Sequence, residues 1–462
     1  MNSENKKLLA ASCFAAFITP FTGTMLNLSL VNIGDEFGVG SHNLAYINTI
    51  FLVASVVFMV PLAKISDIYG RKKVFKAGLA VYGLASLLGF FSPSFGFLLA
   101  MRVMMGLGTA AIAGTSITML TDAFPADERG GAIGLNTSSV YLGTALGPVL
   151  GGIINDFLGW RSVLLIPVPL ALLALFMISI TGKDSSVLYG KRFDLAGTVL
   201  YSSAIIFSML GLANLPNPTA AVFCVLGLFL LWIFVRYAKR MEEPILDVRI
   251  FSNSLFSRSC FASLLGNSAN FAVAFFMALY LQTVGALTSS QAGLVMLTQT
   301  IVQVAFTAYF GRLHDRMNDK RILPTAGIGL TTMGVLLMMV IPVTMNLPLV
   351  VVTLGLFGMG NAVFNAPNTA TIMSSVCPED RAAASAMVAV MRQSGMMICM
   401  GIAMTSIALV MGSLDNLMPS TYSSFVDAIH LSFLISAFMC VAAMTVSWFR
   451  GRGYECTDDI SV

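Results

Sequence analysis

Charged residues are scarce in this sequence of 462 residues. Only 10% of the residues are Asp, Glu, Lys or Arg, and 57% are hydrophobic, whereas a soluble chain carries about a quarter charged residues. So little polar surface cannot cover a soluble fold of this length. We therefore exclude a soluble enzyme, a nucleic-acid-binding protein and a disordered scaffold, and predict an integral membrane protein in contact with the lipid bilayer.

The sequence also lacks the patterns of common cofactor and metal sites. The seven cysteines are scattered singly without a C-x-x-C pair, and their odd number argues against a disulfide framework. The three histidines, His42, His314 and His430, are widely dispersed. No G-x-x-x-x-G-K-[ST] phosphate loop occurs, and Gly106-Leu-Gly108 lies in an apolar segment without a preceding strand. We expect no cofactor, no metal and no enzymatic activity.

Long apolar segments fill the chain. A bilayer core about 30 Å thick needs about 20 apolar residues per helix, and fourteen segments meet this requirement. They cover residues 8–32, 44–63, 74–92, 97–121, 132–155, 162–181, 195–213, 219–237, 258–283, 291–312, 322–342, 348–375, 384–411 and 429–449. The sequence therefore predicts an all-α membrane protein with about 14 transmembrane helices.

The basic residues are distributed unevenly between the two sides of this arrangement. All of the 26 Lys and Arg except Arg102, Arg161 and Arg392 fall on one side. Because cytoplasmic loops carry an excess of Lys and Arg, this side is predicted to be cytoplasmic. The first apolar segment is too long for a cleavable signal peptide. We expect a multi-pass protein of the cell membrane with both termini cytoplasmic.

An internal repeat relates the two ends of the chain. Asp67 and the basic residues after it match Asp315 and its basic neighbours, 248 residues later, and Arg129 matches Arg381, 252 residues later. We predict two six-helix halves, residues 8–181 and 257–450, joined by two linking helices within 182–256 and followed by a tail, 451–462. Repeated halves are typical of transporters, which hold their substrate near the membrane midplane.

Four segments carry a more specific resemblance. They are Asp67-x-x-Gly70-Arg71-Lys72-Lys73, Arg102-x-x-x-Gly106-x-Gly108, Gly143-x-x-x-Gly147-Pro148-x-x-Gly151-Gly152 and Met391-Arg392-Gln393-Ser394-Gly395. With them, the chain resembles the major facilitator superfamily, and within it the fourteen-helix drug:proton antiporter branch. The resemblance implies a secondary transporter that exports small amphipathic compounds by alternating access, driven by the proton gradient. We expect it to act as a monomer.

The resemblance also implies roles for two groups of residues. A cytoplasmic gate is expected at Asp67, Gly70, Arg71, Lys72, Arg129 and Asp315. The antiporter motif Gly143, Gly147, Pro148, Gly151 and Gly152 is expected to pack helices closely, because glycines four residues apart allow two backbones to approach. We expect this packing to form a seal between the two halves.

Polar side chains inside the predicted helices are candidates for the cargo site. A charge at the bilayer centre costs about 2.5–3.5 kcal/mol, so residues such as Arg102 and Arg392 are functional candidates. Asn361, Asn365 and Asn368 share one helix face, and hydrogen bonding between helices is the alternative role for such amides. The predicted cavity residues are Asn27, Arg102, Asn270, Gln299, Asn361, Asn365, Arg392 and Gln393.

The chain departs from the branch at the first helix. Asn27 stands where the branch usually has Asp, and no Asp or Glu lies deeper than about one turn inside a predicted helix. Candidates for proton coupling are therefore Asp35, Glu36 and His430. An alternative is a facilitator or exporter of one specific metabolite, including an anionic one, without proton coupling. A non-transporting membrane sensor is a third hypothesis.

Overall fold

The computed structural model describes residues 3–181, 193–215, 217–242, 244–246, 248–376, 381–412 and 418–450, and the regular secondary structure of these residues is helical. The amino-terminal helices are α1 (Ser3–Asn27), α2 (Leu30–Phe37), α3 (Ser41–Tyr69), α4 (Arg71–Phe90), α5 (Phe95–Ala123), α6 (Ala126–Leu158), α7 (Trp160–Leu165) and α8 (Pro167–Ser179). Two further helices follow, α9 (Leu195–Ala213) and α10 (Pro218–Ala238).

The carboxy-terminal helices are α11 (Ser254–Gly266), α12 (Asn270–Thr283), α13 (Ser289–Arg316), α14 (Ile322–Met338), α15 (Leu347–Ser374), α16 (Arg381–Met411) and α17 (Tyr422–Trp448). Among the described residues, 13 segments are long and apolar enough to cross a membrane, and the apolar helix α14 is shorter, with 17 residues. The prediction of an all-α membrane fold with about 14 spans is confirmed.

Three predicted helices that we expected to be continuous are interrupted. The first is broken after Asn27, between α1 and α2, and the ninth is broken between α11 and α12 at residues 267–269. Asn and Ser side chains at these breaks compete for backbone hydrogen bonds and so favour turns over helix. The sixth is divided between α7 and α8, where Pro167 lacks the N–H that a continuous helix needs.

Residues with special conformations set the tight turns between the helices. Gly70, between α3 and α4, has a φ of +109°, and Gly159, between α6 and α7, has a φ of +79°. Side chains with a Cβ rarely adopt such angles, so both turns require glycine. Thr288 starts α13 with a capping box that includes Gln291. These signals fix where consecutive spans reverse direction.

The helices of each end of the chain pack mainly on one another. In the amino-terminal part α1 packs on α6 and α8, and α5 packs on α3 and α4. In the carboxy-terminal part α15 packs on α13 and α14, and α17 packs on α11, α14 and α16. Helices α9 and α10 pack on each other, and α9 also contacts α3 and α16.

The two parts meet through α6 with α13 and through α3 with α16. The division into domains at residues 8–181, 182–256 and 257–450 stays a prediction. The predicted tail, 451–462, lies outside the described residues. We call the end of the bundle where α3 ends and α4 begins the basic end, and the opposite end the outer end.

Candidate functional site

A cluster of asparagine amides lies at the break between α11 and α12. Asn270 Nδ2 donates to Asn267 Oδ1 at 3.0 Å, and Asn270 and Asn361 exchange two hydrogen bonds of 3.0 Å. Asn365 Nδ2 donates to Asn361 Oδ1 at 3.3 Å. We call Asn267, Asn270, Asn361 and Asn365 the amide cluster. It joins the broken span to α15.

The amide cluster lies near the middle of its span. Helix α11 has 13 residues and α12 has 14, so at 1.5 Å per residue about 20 Å of helix extends on either side of the break. Asn267 and Asn361 are only 2% exposed, whereas Asn270 and Asn365 are partly exposed. The cluster therefore has a buried base and an accessible edge.

Asn368, on the same predicted face of α15, has a different environment. Its Nδ2 donates to the Ser259 carbonyl at 3.2 Å, and its side chain is 2% exposed. This contact ties α15 to α11. For Asn368, hydrogen bonding between helices is thus the role that the structure shows.

Helix α16 brings Arg392 and Gln393 to the boundary between the two halves. A Cβ on Gly395 would lie 3.2 Å from the Cβ of Asn267, so this part of α16 lies against the amide cluster. Arg392, about one turn from Gly395, is partly exposed, and its Nε has no hydrogen-bond partner in the described part of the chain. The Tyr141 hydroxyl of α6 lies within range of its charge, across the boundary.

Two other predicted cavity residues occupy contacts between helices. Gln393 Nε2 donates to Ser55 Oγ at 3.1 Å and so links α16 to α3. The Gln299 carbonyl lies against Gly358, where a Cβ would not fit, so α13 and α15 approach closely there. The side chain of Gln299 is partly exposed.

Asn27 and Arg102 lie inside the amino-terminal half, and both are 0% exposed. Asn27 Oδ1 accepts a hydrogen bond of 2.7 Å from Asn48 Nδ2. Arg102 Nε donates to the Ile47 carbonyl at 3.0 Å, and its guanidinium lies 4.3 Å from the centre of the Phe51 ring. Contact of Asn27 and Arg102 with cargo stays a prediction.

The predicted gate residues form an ion network at the basic end. Arg71 donates to Asp67 Oδ1 from Nε at 3.0 Å and from Nη2 at 2.9 Å, and it also pairs with Asp122. The network therefore joins the ends of α3, α4 and α5. Gly70 makes the turn that places Arg71 there, and Lys72 follows in the first turn of α4.

The partner Asp122 was not predicted for this gate, although the sequence already placed it near the end of the fourth span. Arg129 and Asp315, which were predicted, belong to α6 and α13. Their side chains lie outside the described part of the structure, so their role in the gate stays a prediction.

The glycines of the antiporter motif pack on two different helices. At Gly143, Gly147 and Gly151 a Cβ would collide with α1, for example at 2.6 Å from the Cα of Met25 next to Gly151. We expected these glycines to seal the two halves, but α1 belongs to the same half. The reason is that the face of α6 that carries these three glycines packs on α1, from Phe17 to Met25.

A neighbouring face of α6 crosses the boundary. A Cβ on Gly152 would collide with the Ser289 carbonyl of α13, and one on Gly293 would collide with the Pro148 carbonyl. Gly152 and Pro148 are therefore the motif residues that bring the two halves together, near the outer end.

Next to these contacts, hydrogen bonds join α6 to the beginning of α13. Asp156 accepts from the backbone N–H of Ser289 at 3.1 Å and of Ser290 at 2.8 Å, and Asn155 Nδ2 donates to Ser289 Oγ at 2.6 Å. We call Asn155, Asp156, Ser289 and Ser290 the outer latch. A carboxylate at a helix N-terminus is stabilised by the free N–H groups and the helix dipole.

The predicted proton-coupling candidates lie near the outer end. Glu36 Oε2 accepts from Arg161 Nη1 at 2.6 Å and from Trp160 Nε1 at 2.7 Å. These hydrogen bonds favour the charged carboxylate and hold the pKa of Glu36 below its usual value. His430 Nε2 lies 3.0 Å from the Ile341 carbonyl, and Asp35 is exposed.

Comparison of the sequence with protein families gives one match across the chain. Residues 12–400 and 259–454 match the profile described as Major Facilitator Superfamily. The match covers both halves and the linking helices, so it includes the amide cluster, the gate and the outer latch.

Similar curated proteins are transporters and export proteins. The chain is 26% identical to the riboflavin transporter RibZ of Clostridioides difficile (strain 630), covering 96% of this chain and 97% of that protein. It is 28% identical to the multidrug resistance protein Stp of Mycobacterium tuberculosis (strain CDC 1551 / Oshkosh), covering 86% and 74%. It is also 28% identical to the cephamycin export protein CmcT of Amycolatopsis lactamdurans, covering 84% and 82%.

Among solved structures, the chain is similar to a bacterial homologue of the human lysosomal transporter Spinster in its inward-facing, unoccupied conformation. The TM-score is 0.73 with 15% sequence identity, and 97% of each chain is covered. At this identity the likeness concerns the fold.

Proposed function

Because the chain belongs to the Major Facilitator Superfamily and is therefore a secondary transporter, we propose that it exports small amphipathic molecules by alternating access, driven by the proton gradient. Multidrug efflux is the leading assignment. The multidrug resistance protein Stp and the export protein CmcT, both similar over more than four fifths of this chain, support it. We propose that both termini are cytoplasmic, as the basic residues predict.

The observation that carries this proposal is the amide cluster at the break between α11 and α12. Broken helices near the midplane are typical of transporter binding sites. The partly exposed amides of Asn270 and Asn365 offer both donors and acceptors, and Arg392 adds a cation on the neighbouring helix. In our proposal these three side chains contact the cargo, while Asn267 and Asn361 hold them in place.

The outer latch indicates from which side of the membrane cargo reaches the site in this conformation. Asp156 and Ser289 belong to different halves and hold the outer ends of α6 and α13 together. In our proposal this structure is closed toward the outside, and cargo enters from the basic end. Export then requires the outer latch to open while the Asp67–Arg71–Asp122 network and the neighbouring helices close the basic end.

Transport by purified protein in liposomes with an imposed pH gradient tests the proposal. Lumenal pH and solute content are followed while lipophilic cations, and then organic anions, are added. We expect proton movement that depends on the added cation. We expect Arg392→Gln to lose the flux of whichever solute the wild type transports, and the matched control Arg240→Gln, at an exposed arginine after α10, to retain it.

A second candidate function is export or facilitated transport of one metabolite without proton coupling. Arg392, with an unpaired Nε at the boundary, favours an anionic cargo, and the replacement of the usual first-helix Asp by Asn27 favours uncoupled transport. The similarity to the riboflavin transporter RibZ makes riboflavin the first metabolite to assay. Solute flux without proton movement would establish this candidate, and a folded protein without any solute flux would favour a sensor.

A further inference from the structure

Arg102 is a buried cation with incomplete hydrogen bonding. It is 0% exposed, and its Nε donates to the Ile47 carbonyl. Its two terminal nitrogens, Nη1 and Nη2, are buried and have no hydrogen-bond partner among the described residues. The guanidinium thus directs unused donors into the interior of the amino-terminal half.

Two further polar groups lie near Arg102. The buried hydroxyl of Tyr82, on α4, lies beside the Thr22 hydroxyl of α1 and within range of the charge of Arg102. Asn27 Nδ2, on α1, is also buried and unpaired. Asn27 is hydrogen-bonded to Asn48, and Arg102 is hydrogen-bonded to the adjacent residue, Ile47. Both side chains therefore contact the same turn of α3.

A buried guanidinium needs a negative charge nearby, because burial removes its hydration. The negative face of the Phe51 ring supplies only part of the compensating negative charge. The acidic residues of the sequence all lie near the ends of the spans. Water molecules could satisfy the hydrogen bonds but carry no charge. The surrounding donors therefore favour an anion.

We propose that a small anion binds between α1, α3, α4 and α5, held by the guanidinium of Arg102, with the Tyr82 hydroxyl and the Asn27 amide as further donors. The anion is either a free monovalent ion such as chloride or the carboxylate group of an organic solute. This site does not depend on the identity of the cargo proposed above, since the unpaired donors exist without it.

Thermal unfolding of the purified full chain tests the site directly. Sodium chloride is titrated against sodium HEPES at constant ionic strength, so that only the identity of the anion changes. A ligand that binds only the folded state raises the unfolding temperature. We expect a saturable rise of about 2–4 °C with chloride. An unfolding temperature that does not depend on chloride would overturn the proposal.

Two variants at the site and one matched control test whether the chloride response arises at Arg102. Asn27→Asp supplies an internal carboxylate, so its unfolding temperature should no longer depend on chloride. Arg102→Gln removes the cation and should also remove the dependence. Asn136→Asp places the same change at another buried asparagine, which is bonded to Ser12 and Ser116, and should leave the chloride response intact.

If Arg102→Gln does not fold, Asn27→Asp decides alone: a chloride response as large as that of the wild type would contradict the proposal. Acetate and benzoate distinguish the two sources of the anion. A response to chloride alone identifies a free inorganic ion. A response to benzoate at lower concentration, with competition by chloride, identifies the carboxylate of an organic solute, and either response supports the site.

Discussion

The outer latch makes a prediction about the balance between the two access states. Asp156 of α6 accepts hydrogen bonds from the first two backbone N–H groups of α13 and from Ser290 Oγ, across the boundary between the halves. These bonds exist only while the outer ends are together. Asp156→Ala should therefore destabilise the outer-closed state and leave the fold of each half intact.

The size of the effect follows from the exposure of the carboxylate. A hydrogen bond contributes about 0.5–1.5 kcal/mol, and a carboxylate at a helix N-terminus contributes about 0.3–1 kcal/mol in addition. Because Asp156 is exposed, we take the low ends of these ranges for its three bonds, which gives about 2 kcal/mol. A change of 1.4 kcal/mol is a factor of ten. The ratio of outer-closed to outer-open molecules should fall by about ten- to thirtyfold.

Pulsed electron paramagnetic resonance measures this ratio. Spin labels at Leu158 and Ala286, which are exposed on either side of the boundary, should show a longer distance in a larger fraction of Asp156→Ala molecules. Asp319→Ala, which removes a partly exposed carboxylate in the turn between α13 and α14, is the matched control. An Asp156→Ala distance distribution identical to that of the control would refute this role of the outer latch.

Three further predictions concern single residues. Gly70→Ala forces a Cβ into a φ of +109° and should cost about 1–2 kcal/mol of unfolding free energy in thermal denaturation, whereas Gly131→Ala, in an open helical position, should not destabilise. Gly147→Ala should lower the unfolding temperature more than Gly131→Ala, because its Cβ collides with Thr24 of α1; equal temperatures would contradict the close packing. Glu36 has a lowered pKa, so its contact with Arg161 is fully formed above the ordinary carboxyl pKa and is lost only as the pH falls through the lowered value. Glu36→Gln should therefore leave the shape of the transport profile unchanged between pH 5 and 8, and a shifted profile would show that Glu36 carries the transported proton.

The number and position of the spans could be read from the sequence because lipid imposes a simple requirement. Each crossing needs a long apolar helix, so α3, α10 and α17 appear as apolar segments whatever they pack against. Arg71 and Gly70 were likewise predictable, since a local motif defines them.

Contacts between the halves could not be read in this way. Asp156 and Ser289 are 133 residues apart and meet only in one arrangement of the two halves. The glycine pattern of α6 predicted close packing, but its period does not identify the partner helix, so the contact of Gly151 with α1 was missed. The break at Asn267 was also missed, because a polar residue in an apolar segment is compatible with both a continuous and an interrupted helix.

The central claim is that cargo binds at the amide cluster beside Arg392 and is exported. The most direct test measures uptake of labelled amphipathic solutes, one cationic and one anionic, into liposomes that hold the protein inside-out, with an imposed pH gradient, and compares wild type, Arg392→Gln and Arg240→Gln. The account predicts accumulation with proton movement in the wild type and in Arg240→Gln, and neither in Arg392→Gln. Equal accumulation by all three proteins would contradict the assignment of the site.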